Sequence, residues 1–329
     1  MAVDDLFSKN DLSSIGIGTW QLGLKGWGND YDETMAMDAL RLALRSGLNF
    51  IDTAEIYGAG KSESLIGQVT VTEERRKIYI ATKVAGFNAT ARSVENSLNG
   101  SLKRLQTDYI DLYQVHWEPS IYTDLEALFR QLEKLMKDGR INHLGVSNFS
   151  KGMLAKASEY LGDAKIESNQ IKFNLVERPH TDLLRYMEEH RIKLIGWSPL
   201  GQGFLTGKYG SGKRPSGYTR RVNRLFSKRN LARWEPLLET LRNISTERDI
   251  TPTQLVLAYE RELGVYPIPG FKNIKQVNEI AGSLKVGLTQ EDKDLIMKIC
   301  DQTGVFTTSG TMSPRIIPNF IVKMMSLFI

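Results

Sequence analysis

The chain has little of what builds disulfides and metal centres. Cys300 is the single cysteine among 329 residues, so no disulfide can form within the chain. The four histidines, His116, His143, His180 and His190, are scattered, and no Cys/His group has zinc spacing, so no metal site is expected. A reducing, cytoplasmic setting is the expectation that follows. No apolar run reaches the ~20 residues that a membrane helix requires, and the opening MAVDDLFSKNDLSS lacks the charged-then-apolar order of a secretion signal. The expectation is a chain without a membrane span. Acid is missing from one stretch: between Gly201 and Asn230 stand Lys208, Lys213, Arg214, Arg220, Arg221, Arg224, Lys228 and Arg229, with no Asp or Glu. The formal charge of +5 belongs to that segment, because the rest of the chain is net acidic.

A basic patch of this kind could meet nucleic acid, but neither an aromatic stacking run nor a nucleic-acid motif accompanies it, so no nucleic acid is expected. A phosphate-bearing cofactor is the more economical partner, and a solvated loop the plainer alternative. With 41% apolar residues the chain can bury a core large enough for two ordinary domains or one large barrel. The pattern decides between them. Strand-like runs at 14–20, 48–54, 77–84, 109–117, 143–149, 165–173, 193–200 and 265–270 alternate with helix-period segments. Apolar residues recur at three and four in Ala36, Leu40, Ala43, Leu44, then Val94, Leu98, Leu102, Leu105, then Leu125, Leu128, Leu132, Leu135. Later helices are expected near Thr181, near Trp234, at Thr251-Pro252 and near Ile274. Eight alternations without a linker favour a single (β/α)8 TIM barrel spanning residues 1–329 over a doubly wound sheet. The dinucleotide fingerprint of such a sheet is absent, since Gly16-Ile17-Gly18 continues as Thr19-Trp20-Gln21.

In a barrel the chemistry gathers where strands end. The segment FIDTAEIYGAGKSESLIG offers two readings there. Gly60-Lys61-Ser62 looks like the close of a phosphate-binding loop, but that motif requires glycine at position 55, which is Glu55. The other reading survives. The second strand ends at Asp52, the third at Lys83 and the fourth at His116, with Tyr57 in a glycine-rich turn able to fold back over them. If the three strand-end residues share one level they form a short row with Lys83 in the middle. Taken singly, each has a bland structural explanation; their joint placement does not.

The segments IDTAEIYG, IATKV, YQVHW, GVSNF, SNQIKFN, SPLGQGFLTGK and PIPGFKN, in that order, resemble the aldo-keto reductases from about Ser13 to Gly304. The resemblance implies NADPH-dependent reduction of an aldehyde or ketone, with NADH as the alternative cofactor, and a catalytic set of Asp52, Tyr57, Lys83 and His116. Tyr57 would be the proton donor. A neighbouring ammonium on Lys83, anchored by Asp52, would lower the phenol's ordinary pKa near 10. His116 would hold the carbonyl oxygen. Ser147, Asn148 and Gln170 would bind the nicotinamide amide and Trp197 would stack on its ring. Ser198, Pro199, Leu200 and Gly203 would approach the pyrophosphate, and Gly18, Thr19 and Trp20 would line the floor. Ile268, Pro269 and Gly270 lead to Lys272, assigned to the 2′-phosphate, with Gln276 and Glu279 facing the adenosine. Phe271, Gln276 and Ile280 depart from the pattern usual there, which narrows the margin of NADPH over NADH. Lys208 and the basic loop 201–230 would close over the phosphates, or else form a solvated loop. Trp20 and Trp117 would wall the substrate mouth, while Trp27, Tyr31 and Tyr122 pack. The alternative function is an NADPH-binding assembly subunit resembling the β-subunits of potassium channels.

Both ends stand apart. The dozen residues before the first strand suggest a shortened plug at the barrel bottom. The C-terminal extension 305–329 ends in PRIIPNFIVKMMSLFI, apolar but interrupted by Pro318 and Lys323. It could line the mouth, pack on a second subunit, lie on lipid or extend freely, and the oligomeric state is not readable from the chain.

Overall fold

A computed structural model describes residues 5–23, 32–209 and 223–308. The strands are β1 Ile17–Gly18, β2 Phe50–Asp52, β3 Tyr79–Val84, β4 Ile110–Val115, β5 Ile141–Ser147, β6 Ile166–Lys172, β7 Glu177–Pro179, β8 Lys193–Trp197, β9 Tyr266–Ile268 and β10 Phe306–Thr308. Eight of them form one parallel sheet in the order β1-β2-β3-β4-β5-β6-β8-β9. Gly16 N donates to Pro267 O at 3.0 Å and Gly18 N to Pro269 O at 2.9 Å, which joins the first strand to the last and closes a (β/α)8 barrel. Most residues of β2 to β6 are buried, as a parallel sheet covered by helices requires.

Helices form where the spacing of apolar residues expects them, and several of their starts are capped by side chains. Asp32 caps Glu33–Arg45, Asp124 caps Leu125–Lys137, and Thr251 with Gln254 forms a reciprocal capping box on Pro252–Glu262. Their inward stripes are the expected ones, for example Ala36, Leu40 and Ala43, then Leu98, Leu102 and Leu105. The strand boundaries shift by a few residues from the sequence reading, and two differences have a local cause. The first strand shrinks to two residues because the chain turns at Thr19, whose N–H bonds Asp52 O and whose C=O accepts from Leu22 N. The helix expected near Trp234 begins at Lys228, capped by Ser227, a signal hidden inside the basic segment.

The barrel bottom is plugged by a single turn, Leu6–Ser8. Leu6 and Phe7 pack on Phe50, Tyr79, Leu112 and Ile195, and Leu6 N donates to buried Glu167 at 3.0 Å. The other oxygen of Glu167 holds His143 Nδ1 at 2.8 Å. This short cap does the work that a longer hairpin would do.

A second core lies outside the barrel, where Trp234, Leu237, Leu238, Tyr259, Ile296 and Cys300 pack on Leu175 and Val176. Beside it β7 and β10 pair in parallel, an element that the sequence reading did not foresee. Phe306 N bonds Val176 O at 2.8 Å, so residues 305–308 belong to the folded body. Residues 309–329, including Pro318 and Lys323, lie outside the described residues, as do Trp27, Tyr31, Lys213, Arg214, Arg220 and Arg221.

Glu260 sits in this outer region fully buried, and neither carboxylate oxygen has a hydrogen-bond partner among the described residues. Burial pushes its pKa well above the usual value, and the nearby Arg178 only partly opposes that. The folded state therefore holds a proton that the unfolded state releases as pH rises above about 4.5, so this group makes stability fall with rising pH in that range. Glu260→Gln should raise Tm at pH 7 and leave it unchanged near pH 4. Thermal unfolding at the two pH values checks this, and an equal effect at both would remove the proton from the explanation.

Candidate active site

The strand ends at the barrel mouth bring all four sequence-designated catalytic residues together. Lys83 is fully buried, and its ammonium donates to Asp52 Oδ1 at 2.8 Å and to Thr53 O at 2.8 Å. Its Nζ lies 3.4 Å from Tyr57 Oη. The rings of Tyr57 and His116 meet edge to face with centroids 5.6 Å apart. Tyr57 begins a tight turn, Tyr57–Gly60, in which Gly58 has φ 56° and lies where a Cβ would come within 2.9 Å of Gly23 O. Only glycine fits that approach, which brings the phenol back over the barrel.

The single-level row is not what the barrel contains. Asp52 pairs in register with Ala81, and Lys83 with Gln114, so Lys83 stands further up its strand and leans its long side chain back to the carboxylate. Strand tilt and stagger in a closed barrel impose this offset. The second correction concerns the phenol. Burial, and after it the negative charge of Asp52, hold the Tyr57 pKa well above its ordinary value rather than below it. The Lys83 ammonium is neutralised by Asp52 at contact distance, so the phenol faces a closed ion pair instead of a bare cation. Burial also lowers Lys83, against the opposing pull of Asp52. His116 is held well below the usual imidazole range, first by burial and then by the Lys83 charge, so its ring is neutral near pH 7. Its buried Nδ1 has no partner among the described residues.

A second group of polar residues adjoins the first. Gln170 Nε2 donates to Asp52 Oδ2 at 2.6 Å, and Ser147 Oγ donates to Gln170 O at 2.9 Å. Asn148 donates through Nδ2 to His116 O at 3.0 Å and accepts from Trp197 Nε1 at 3.1 Å. Asn148 adopts φ 56° and Ser198 φ 58°, left-handed conformations that non-glycine residues rarely take and that cluster at functional sites. Pro199 is buried; Leu200 begins the turn, Gly201, Gln202 and Gly203 are all left-handed, and Gly201 N and Gly203 N donate to Ser198 O at 3.0 Å and Leu200 O at 2.9 Å. Lys208 is exposed beyond it.

On the opposite side, Gly18 meets Gly270 through a bridge, with Pro269 and Ile268 buried beneath. Thr19 Oγ1 donates to Asp52 O at 2.8 Å, while Trp20 is exposed at the rim. Lys272 is exposed before the helix Ile274–Ser283, which Asn273 caps. Gln276 Oε1 accepts from Lys272 N at 2.7 Å, so its amide braces the turn. Glu279 is half-buried, and Ile280 is a core residue. Trp117 packs against Phe87 with centroids 5.7 Å apart and against His116 at 4.9 Å.

Sequence reasoning missed the supports. Glu63, fully buried, accepts from Thr82 at 2.6 Å and Arg104 at 2.7 Å, and Glu55 accepts from Ala85 N at 2.7 Å. A charged residue closing an apolar strand, as in IKFN, was the visible sign of another, Lys172, which lies 5.7 Å from the Trp197 ring centroid.

A neutral phenol beside a buried Lys–Asp pair, an imidazole without a charge, and a polar wall beside an aromatic ring meet at the barrel mouth. The Aldo/keto reductase family model matches residues 14–301. The chain is 37% identical over 297 residues to an uncharacterized oxidoreductase of Mycobacterium tuberculosis, covering 89% of this chain and 90% of that one. It is 33% identical over 310 residues to an NADP(+) aldo-keto reductase of Schizosaccharomyces pombe, covering 89% and 90%. Among solved structures, an aldo/keto reductase of Klebsiella pneumoniae in complex with NADP and acetate superposes with TM-score 0.71 at 28% identity, covering 88% of this chain and 91% of that one. The chain belongs to the aldo/keto reductase family. It is an NAD(P)H-dependent oxidoreductase. Among the described residues no helix is long and apolar enough to cross a membrane.

Proposed function

We propose that this enzyme reduces an aldehyde or ketone to the alcohol with Tyr57 as the proton donor. The observation that carries the reading is the contact of Tyr57 Oη with a buried ammonium that is itself fixed by a carboxylate. The donor set fits a nicotinamide cofactor: Ser147, Asn148 and Gln170 offer amide and hydroxyl groups beside Trp197, and the turn 198–203, left-handed at Ser198, Gly201, Gln202 and Gly203, offers main-chain groups. When bound, the cofactor supplies hydride to the carbonyl carbon.

The chain's own residues handle the oxygen. Tyr57 retains its proton at neutral pH, which a donor must do, and gives it up only as charge grows on the substrate oxygen. Lys83 then stabilises the nascent phenolate through the 3.4 Å contact, and Asp52 keeps Lys83 charged and aimed. Neutral His116 orients the carbonyl without competing as an acid. Trp20 and Trp117 wall the substrate, which makes the mouth aromatic on two sides.

Lys272 takes the 2′-phosphate in this reading, with Lys208 on the pyrophosphate side. Lys272→Ala should weaken NADPH binding about tenfold while changing NADH binding little, because one charge-assisted contact is worth roughly 1.5 kcal/mol. Fluorescence titration with both cofactors tests this, and equal losses would place the phosphate elsewhere. The reaction itself is tested by NADPH oxidation over a panel of aldehydes and ketones. No turnover with any of them would reject the reading.

A further inference from the structure

Trp197 is pinned at its edge by Asn148 and overlooked on a face by a cation. The Lys172 ammonium stands 5.7 Å from the ring centroid. That ammonium is not loose: it is paired with Glu177 Oε1 at 2.7 Å. Glu177 is buried on β7, where its N–H bonds Asn174 Oδ1 at 2.8 Å, and Asn174 Nδ2 in turn donates to Ser198 O at 3.1 Å. The same carboxylate oxygen holds a second cation, Arg224, at 3.4 Å. Arg224 lies with its guanidinium 4.2 Å from the centroid of Phe306. Phe306 on β10 is the register partner of Glu177 on β7. A continuous set of contacts thus runs from the C-terminal strand to the indole.

We infer that Glu177, seated by β10, is a positioning residue for the nicotinamide side of the site: it fixes Lys172 against one face of Trp197 and so presents the other face to the cofactor ring. This rests on the reading of Trp197 as the nicotinamide neighbour. The physical argument is preorganisation. An indole held at its edge by a hydrogen bond and on a face by a fixed cation loses little freedom on stacking. Residues 305–308, which lie beyond the family-matched region, thereby take a role in cofactor binding.

The test is the NADPH dissociation constant of Glu177→Gln, Lys172→Met and Phe306→Ala, read by fluorescence titration at low salt and at about 0.5 M salt. At the higher salt, screening over roughly 4 Å weakens the pull of the exposed Arg224 and part-buried Lys172 charges that Glu177→Gln sets free, so more of what remains is positioning. Glu177→Gln and Lys172→Met should each weaken NADPH about tenfold at high salt, and the double variant no further, since both release the same ring. Phe306→Ala should weaken it about threefold, with kcat at saturating NADPH largely retained in all of them. Trp197→Phe separates the two ways to fail. If it weakens NADPH while the folded Lys172 and Glu177 variants bind like wild type, the inference is overturned. If Trp197→Phe itself changes nothing, the stacking assignment beneath it falls.

Discussion

Tyr57→Phe should leave NADPH affinity at the wild-type level and lower carbonyl reduction about 10³-fold, the usual scale for a general acid. The change removes one oxygen from a half-buried ring and leaves the ring's contact with His116 intact, so the cofactor-facing residues keep their places. Binding and turnover must therefore separate. The structure sharpens the expectation in pH. With the phenol pKa raised and the His116 pKa lowered, neither group changes its protonation near pH 7. The wild-type rate of reduction should accordingly lack a step between about pH 6 and 8 from either group. Initial rates across that range, with cofactor affinity measured in parallel, provide the check. Turnover of the variant within about tenfold of wild type would move the proton donor to another residue.

Lys83→Met should damage both the fold and the reaction. Lys83 is fully buried and Asp52 nearly so, and the two meet at 2.8 Å with further bonds to Thr53 O and from Gln170. Removing one partner strands a carboxylate in the barrel, at a cost of about 3–5 kcal/mol. Replacing both, as Asp52→Asn with Lys83→Met, should cost clearly less than the sum of the single changes, because no lone charge is left behind. Urea unfolding of the three variants measures the coupling. Strict additivity would mean that the pair is energetically independent, and the account of how Lys83 is held beneath Tyr57 would fail with it. Activity should be lost in the two variants that lack Lys83, since Tyr57 then lacks a stabilised phenolate.

The alternation of strands and helices was legible because it is local: apolar period, caps and glycine stops all lie within a few residues of one another. The strand ends were legible for the same reason, and Asp52, Lys83 and His116 could be named from where apolar runs stop. What could not be read was register. The offset that makes Lys83 lean back to Asp52 follows from barrel closure between Gly18 and Gly270, residues far apart in the chain. The start of Lys228–Glu247 was obscured because its cap, Ser227, sits among cations that drew attention to charge.

By itself the sequence determined the barrel, the family likeness and the identity of the four groups at its mouth, since periodicity and motif order survive without coordinates. Tertiary structure alone decided the electrical state of those groups. A lysine's charge favours a neighbouring phenolate, but here burial first, and the Asp52 charge after it, hold the Tyr57 phenol above its ordinary value. It also decided that Phe306, Arg224, Glu177 and Lys172 meet beside Trp197, because burial and long-range pairing depend on how the whole chain closes, not on any stretch of it.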